Sequence, residues 1–227
     1  MDNTTPHKAA EYDENIRKTV PFYDLFYSET IDLVKSINPE VEVWLDTGCG
    51  TGSFAKEAFI HFPGTVFILS DPSENMLLKA KQKLRSMPSS RIQFLDAAGT
   101  EEICLNSIKQ PQVITAIQAH HYLNIDMRQT ATQRCFDLLA SNGVYVTFEN
   151  IHPNSEEGVE IALRRWKRYQ LSRGRGEKSV EKHGQRFNKA YFPISVDDHI
   201  KLLKKCRFRV AELFWYSHMQ AGFYAIK

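Results

Sequence analysis

A chain of 227 residues, 42% hydrophobic and 25% charged, can bury one substantial core with a small cap but does not divide into two full domains. Its formal charge of +2 excludes attraction to nucleic acid or anionic membrane through overall charge, so any such partner would need a local patch. Cys49, Cys104, Cys135 and Cys206 form neither a Cys-x-x-Cys pair nor a Cys/His cluster at ligand spacing, and no apolar run nears the roughly 20 residues of a membrane span. The expectation is a cytoplasmic protein with reduced thiols, no metal site and no membrane association.

Asn15 to Lys35 carries apolar and aromatic residues at helical spacing around Pro21, which predicts one or two cap helices. Val41 to Leu45 reads as a strand that stops at Asp46 and a glycine cluster, and Ser53 to His61 resumes a helical pattern. Val66 to Leu69 is a second strand ending at Asp71, followed by a helix from Ser73 to about Ser86. Ile92 to Leu95 ends at Asp96, and Val113 to Ile117 ends near Gln118 and His120. A helix from about Met127 to Leu139 stops at Asn142-Gly143, before a fifth strand, Val144 to Phe148.

A long helix is predicted from Ser155 to Gln170, then a glycine-broken basic stretch to Lys189, then a helix from an N-cap at Ser195 to about Lys205. Phe208 to Tyr216 and Phe223 to Ile226, joined by Ser217 to Gly222, fit a closing hairpin. Strands alternating with helices imply an α/β, doubly wound, mostly parallel sheet with a C-terminal antiparallel hairpin and an N-terminal helical cap. The domain reading is a cap over 1–40 and a core over 41–227, with a basic helical lid inserted at about 153–193.

Ligands of open α/β sheets bind at the carboxyl ends of the strands, where the strand order reverses. Asp46-Thr47-Gly48-Cys49-Gly50-Thr51-Gly52 follows the first strand, and its glycines allow tight turning and close backbone approach. Asp71, 25 positions after Asp46, could accept hydrogen bonds from both hydroxyls of a ribose, and Asp96 ends the third strand. A glycine turn alone can be a tight strand-to-helix connection and no more; the two later strand-end carboxylates turn the set toward a nucleoside cofactor.

Val43-Trp44-Leu45-Asp46-Thr47-Gly48-Cys49-Gly50-Thr51-Gly52, Leu69-Ser70-Asp71-Pro72-Ser73-Glu74-Asn75-Met76 and Phe94-Leu95-Asp96-Ala97 together resemble the class I S-adenosylmethionine-dependent methyltransferases, whose sheet is seven-stranded and Rossmann-like. The resemblance implies S-adenosylmethionine as cofactor and S-adenosylhomocysteine as product. It implies cofactor contacts at Asp46, Gly48, Cys49, Gly50, Asp71, Pro72, Met76, Asp96, Ala97 and Gln118. Within that set the glycine turn holds the methionine part, Asp71 the ribose and Asp96 the adenine amine, with Met76 packing near the base. Arg17 to Tyr23, Glu212 to Trp215 and Gly222 to Lys227 are similar to the branch containing the carboxy-S-adenosylmethionine synthases. Gln112, where an aspartate commonly opens the fourth strand, Arg207, where a glycine often ends the last helix, and Thr47 depart from the family pattern.

The sulfonium already activates the methyl, so the protein's task is to align an acceptor in line and exclude water. A base is needed only for a protonated acceptor, and His121, in His120-His121-Tyr122 after the fourth strand, is the first candidate. Packing near the cofactor is the plainer account of both histidines. Tyr23, among the cap aromatics Tyr12, Phe22, Phe26 and Tyr27, is a second candidate against an account of ordinary core packing. Glu149 and Asn150 end the fifth strand and could bind an acceptor or serve structure. Between Arg164 and Lys189 ten Lys or Arg face only Glu177 and Glu181, so the stretch could steer an anionic acceptor or stand as a solvated face. Within it Arg186 falls where the carboxy-cofactor branch has a carboxylate-binding arginine.

The expected activity is methyl transfer to a small, conceivably anionic acceptor, with nucleic acid not favoured and a homodimer open. Alternatives are a carboxy-S-adenosylmethionine synthase or tRNA-linked enzyme, a nicotinamide-dependent dehydrogenase, and a non-catalytic cofactor-binding regulator. The dehydrogenase fits less well, since Ser53 holds the position of the third glycine in G-x-G-x-x-G.

Overall fold

Five of the apolar runs become parallel strands covered on both faces, as parallel sheets require. A computed structural model describes residues 5–105 and 109–227, so the start of the expected cap, 1–4, lies outside the described residues. β1 (Val43–Thr47), β2 (Val66–Ser70), β3 (Ile92–Phe94), β4 (Val113–Ile117), β5 (Val144–Asn150), β6 (Val210–Ser217) and β7 (Gln220–Ile226) form one sheet of order β3-β2-β1-β4-β5-β7-β6. β1 to β5 are mutually parallel, and β7 runs antiparallel to both β5 and β6. The order reverses between β1 and β4, where a ligand crevice is expected to open.

Alternation along the strands sorts side chains into two layers. Trp44, Phe67 and Phe148 pack on one face with α2 (Tyr23–Ile37), α3 (Ser53–His61) and α4 (Glu74–Leu84). Leu45, Ile68 and Ile114 face α5 (Ile125–Leu138) and α8 (Val196–Lys205). Trp44, fully buried, donates its indole N–H to the Thr115 hydroxyl at 3.1 Å, which ties β1 to β4 through the core. Side chains of Ser73, Asn124 and Ser195 accept the N–H of Met76, Met127 and Asp198, capping α4, α5 and α8 at about 1 kcal/mol each.

The departures from the family pattern have local explanations. The Gln112 side-chain oxygen accepts the N–H of Glu42 at 2.7 Å and Val43 at 3.2 Å, fastening the start of β1 beside β4. Arg207 adopts φ +73 where a glycine would do so without strain.

α1 (Tyr12–Thr19) joins α2 through Phe22 in the left-handed region. After β5 come α6 (Glu156–Ser172) and α7 (Glu177–Gly184). Within the expected helical lid, the glycine-broken basic stretch carries a second helix, α7, because Val180 and His183 turn inward against Trp166 and Gln170 of α6. Trp166 donates to the Thr19 carbonyl at 2.5 Å and Tyr169 to the Arg17 carbonyl at 2.9 Å, so the insertion is bound to the N-terminal helix. The closing hairpin turns at His218 and Met219 rather than across Ser217 to Gly222, because both strands extend further and pair Ser217 with Gln220. Among the described residues no helix is long and apolar enough to cross a membrane.

Candidate functional site

The glycine turn after β1 holds Gly48, Gly50 and Gly52 at positive φ. A Cβ on Gly48 would meet the Cβ of Ala119 at 2.7 Å, so β1 and β4 can approach here only without a side chain. A Cβ on Gly50 would meet nothing within 4 Å and would stand in open space. Asp71, at the end of β2, locks the turn by accepting the N–H of Gly50 at 2.8 Å and of Ser73 at 2.9 Å. A carboxylate offers about four acceptor positions, so one side chain can hold the turn and also receive ligand hydroxyls.

Gly48, Gly50, Asp71, Pro72, Met76 and Gln118 line a single cavity of about 430 Å³, and so meet as expected. Its size suits a small-molecule site, typically about 300–1,000 Å³. Gln118 takes φ +56 and donates both its backbone N–H, at 2.7 Å, and its side-chain amide, at 3.3 Å, to the Phe148 carbonyl. Asp46 and Cys49 lie in an adjoining hollow behind the glycine turn, with Tyr12, Tyr23 and Tyr27. Burial raises the Asp46 carboxyl to about 7, the charge of Asp71 adds to this, and a 2.7 Å hydrogen bond from Thr115 opposes it. A larger, more open surface depression along residues 5–10 and α4 contains none of the strand-end residues.

Besides Asp46 and Cys49 in the adjoining hollow, two expected cofactor contacts lie outside both the hollow and the cavity. Asp96 and Ala97 stand exposed beyond β3 and do not line it. β3 is a short edge strand, and the chain beyond it folds inward only at Gly99 to Glu102, which do line the cavity. Thr100 fixes that inward turn, its hydroxyl lying 2.5 Å from the Thr47 hydroxyl and 3.0 Å from His120 Nε2.

The expectation for His121 also needs correction: His120 and Tyr122 line the cavity, whereas His121 is buried behind its wall. Its Nδ1 lies 2.8 Å from Glu149 Oε2. Glu149 in turn accepts the backbone N–H of His120 and of His121 and the hydroxyl of Thr147. Burial pushes this carboxyl upward, but the hydrogen bond from His121 and the neighbouring positive charge outweigh it and hold Glu149 at about 2. Glu149 thus pins the turn that carries His120 and Tyr122, while burial brings His120 down to about 4.

Tyr23 is buried as well: its hydroxyl accepts from Tyr27 at 3.0 Å and lies 3.5 Å from that of Tyr12. Burial raises all three phenols well above their ordinary value, so they act near neutrality as neutral hydrogen-bonding groups. Arg186 is partly buried, and its positive charge acts on Tyr122, Tyr191, His7 and His183. It does not itself line the cavity, although Tyr122, on which its charge acts, does.

One polar cluster escaped the sequence reading. Asp13 of α1 accepts from the hydroxyls of Thr51 at 2.6 Å and Ser53 at 3.0 Å. The Lys83 ammonium of α4 reaches Asp13 at 2.6 Å, Thr51 at 2.7 Å and Ser53 at 2.5 Å. This latch fastens α1, whose Tyr12 lines the cavity, to the glycine turn. Asp13 lies 38 residues before Thr51 in a helix of ordinary amphipathic pattern, and nothing local marks it.

The profile of the methyltransferase domain family matches residues 45–145. The carboxy-S-adenosyl-L-methionine synthase of Nautilia profundicola is 22% identical over 96% of this chain and 92% of its own. The enzyme of that name from Trichodesmium erythraeum is 21% identical over 95% of this chain and 85% of its own. Among solved structures, an O-methyltransferase from Nostoc punctiforme superposes with a TM-score of 0.68 at 16% identity, and the chain spans 60% of its length. The N-methyltransferase NodS from Bradyrhizobium japonicum, solved with S-adenosyl-L-homocysteine, gives 0.62 at 13% identity, over 91% of this chain and 88% of its own.

Proposed function

We propose that this chain, a class I S-adenosylmethionine-dependent methyltransferase by fold and domain, transfers the cofactor's methyl group to a small anionic acceptor held at the Tyr122 and Arg186 side of the cavity. The observation that carries the reading is the convergence of Asp71, the bare backbone of Gly50, Met76 and Gln118 on one cavity of about 430 Å³. The residues suit the cofactor: space stands open over Gly50, and Asp46 supplies a carboxylate beside the glycine turn for a cationic amino acid. When bound, S-adenosylmethionine supplies an electrophilic carbon on a sulfonium.

The chain's own part is alignment and exclusion of water. Glu149 fixes the His120–Tyr122 turn from behind, Tyr12 closes the wall, and Arg186 provides the charge that favours an anion. His120, the buried imidazole on the cavity wall, has both ring nitrogens engaged, Nε2 with Thr100 and Nδ1 with Tyr145, so the reading favours an acceptor that is already nucleophilic at neutral pH.

Arg186 also supports a second reading, the activity for which the relatives from Nautilia profundicola and Trichodesmium erythraeum are named: formation of carboxy-S-adenosylmethionine, in which the same positive charge would hold a carboxylate. Mass spectrometry of the ligand released from purified protein separates the two. An unmodified cofactor or its product, followed by labelled methyl transfer into a metabolite pool, supports methylation; a carboxylated cofactor overturns it in favour of the second reading.

A further inference from the structure

We propose that Arg128 is a positioning residue that makes the Tyr122 wall of the cavity and the returning end of the lid, Arg186 to Phe192, move as one piece. The inference deepens the reading of an acceptor held beside Tyr122 and Arg186, and rests on it.

The first observation is a charge in an unusual place. Arg128 lies on the buried face of α5 and is 1% exposed, where an apolar side chain of similar volume is often as stabilising or more so. Its hydrogen bonds all go to main-chain carbonyls: Nε donates to His120 at 3.1 Å, and Nη2 donates to Leu123 at 3.3 Å and to Phe192. One guanidinium therefore spans the turn after β4 and the segment that closes the lid. The connection also runs back, since the Phe192 N–H donates to the His121 carbonyl at 2.7 Å.

The two segments so joined carry the acceptor side. His120, Tyr122 and Leu123 of the turn line the cavity. Glu149 accepts the N–H groups of His120 and His121 while Arg128 holds the carbonyls of His120 and Leu123, so the turn is clamped through both its donors and its acceptors. In the lid, the Arg186 carbonyl accepts the N–H of Lys189 at 3.0 Å and of Ala190 at 2.8 Å. The buried Tyr191 sets its ring edge-on to His121, with centroids 6.1 Å apart. A shift of the turn is thereby carried through Phe192 and Tyr191 to the backbone of Arg186. A planar guanidinium donates in fixed directions to several acceptors at once, which a lysine ammonium does not reproduce.

The test is hydrogen–deuterium exchange, read by mass spectrometry on peptides covering 119–124 and 186–193, with and without saturating S-adenosylhomocysteine. In wild type the ligand, at about 100 times its dissociation constant, is expected to slow exchange in both segments by up to about a hundredfold. In Arg128→Lys and in Arg128→Met it should still slow 119–124, which Glu149 continues to hold. Its effect on 186–193 should fall at least about tenfold, the worth of one hydrogen bond to a charged group. A purely structural loss would raise exchange with and without ligand alike and leave that ratio where it was. Arg128→Met is included because apolar replacement of a buried charge often preserves folding. Ligand-dependent slowing of 186–193 that survives in either folded variant would overturn the inference, and would route the link through α1 and Trp166 instead. So would a wild type slowed at 119–124 alone, an outcome that needs no variant. Failure of wild type to bind S-adenosylhomocysteine at all would instead overturn the cofactor reading beneath it.

Discussion

Three carboxylates at one end of the sheet do different work because their surroundings differ. Asp71 both locks the glycine turn and lines the cavity, so Asp71→Ala should weaken S-adenosylhomocysteine binding at least about tenfold, one charge-assisted hydrogen bond's worth; unchanged calorimetric affinity in a folded mutant would refute this. Asp46, raised to about 7, becomes a full negative charge only above that pH. Affinity for the cationic ligand should therefore climb as pH rises toward 7, by up to about tenfold per unit below it, and Asp46→Asn should flatten that profile. Glu149 shifts the opposite way, with a folded value of about 2 against an ordinary 4.5. Its stabilisation is present above 4.5 and lost as pH falls toward 2. Glu149→Gln should cost about 3 kcal/mol at neutral pH, with a difference from wild type that shrinks on acidification, read by denaturant unfolding across that range.

At the scale of elements, strands and caps were largely legible and polar contacts between distant segments were not. β4 and α3 fall at their expected limits, because a β-branched run closed by a polar residue and an apolar helical period are local signals. The N-caps at Ser73 and Ser195 are written in single residues. Replacing Ser195 by Ala should lower the unfolding free energy by about 1 kcal/mol, measurable by urea titration. The limits of α7 inside the expected helical lid were not legible because only Val180 and His183 of its residues are buried, too few to show a period among lysines and glycines. The inward turn at Gly99 to Glu102 was missed for another reason: sequence marks where a strand ends, not which of the following carboxylates swings back toward the sheet. The same holds for His121, whose position after β4 was read correctly while its burial against Glu149 was not.

The whole molecule joins its cavity to its stability. A ligand at 100 times its dissociation constant contributes about 2.7 kcal/mol. At about 2–4 °C per kcal/mol for a chain of this size, saturating S-adenosylhomocysteine should raise the melting temperature by roughly 5–11 °C in a thermal scan. An unmoved transition would count against the site. The bonds linking Asp13, Lys83, Thr51 and Ser53 extend this coupling to time as well as energy. Tyr12 of α1 lines the cavity, so loosening the latch is expected to loosen that wall and to speed the exchange of spent product for fresh cofactor. Stopped-flow displacement should then show Asp13→Asn releasing S-adenosylhomocysteine faster than wild type, with the turnover ceiling moving in step wherever product escape is the slow event.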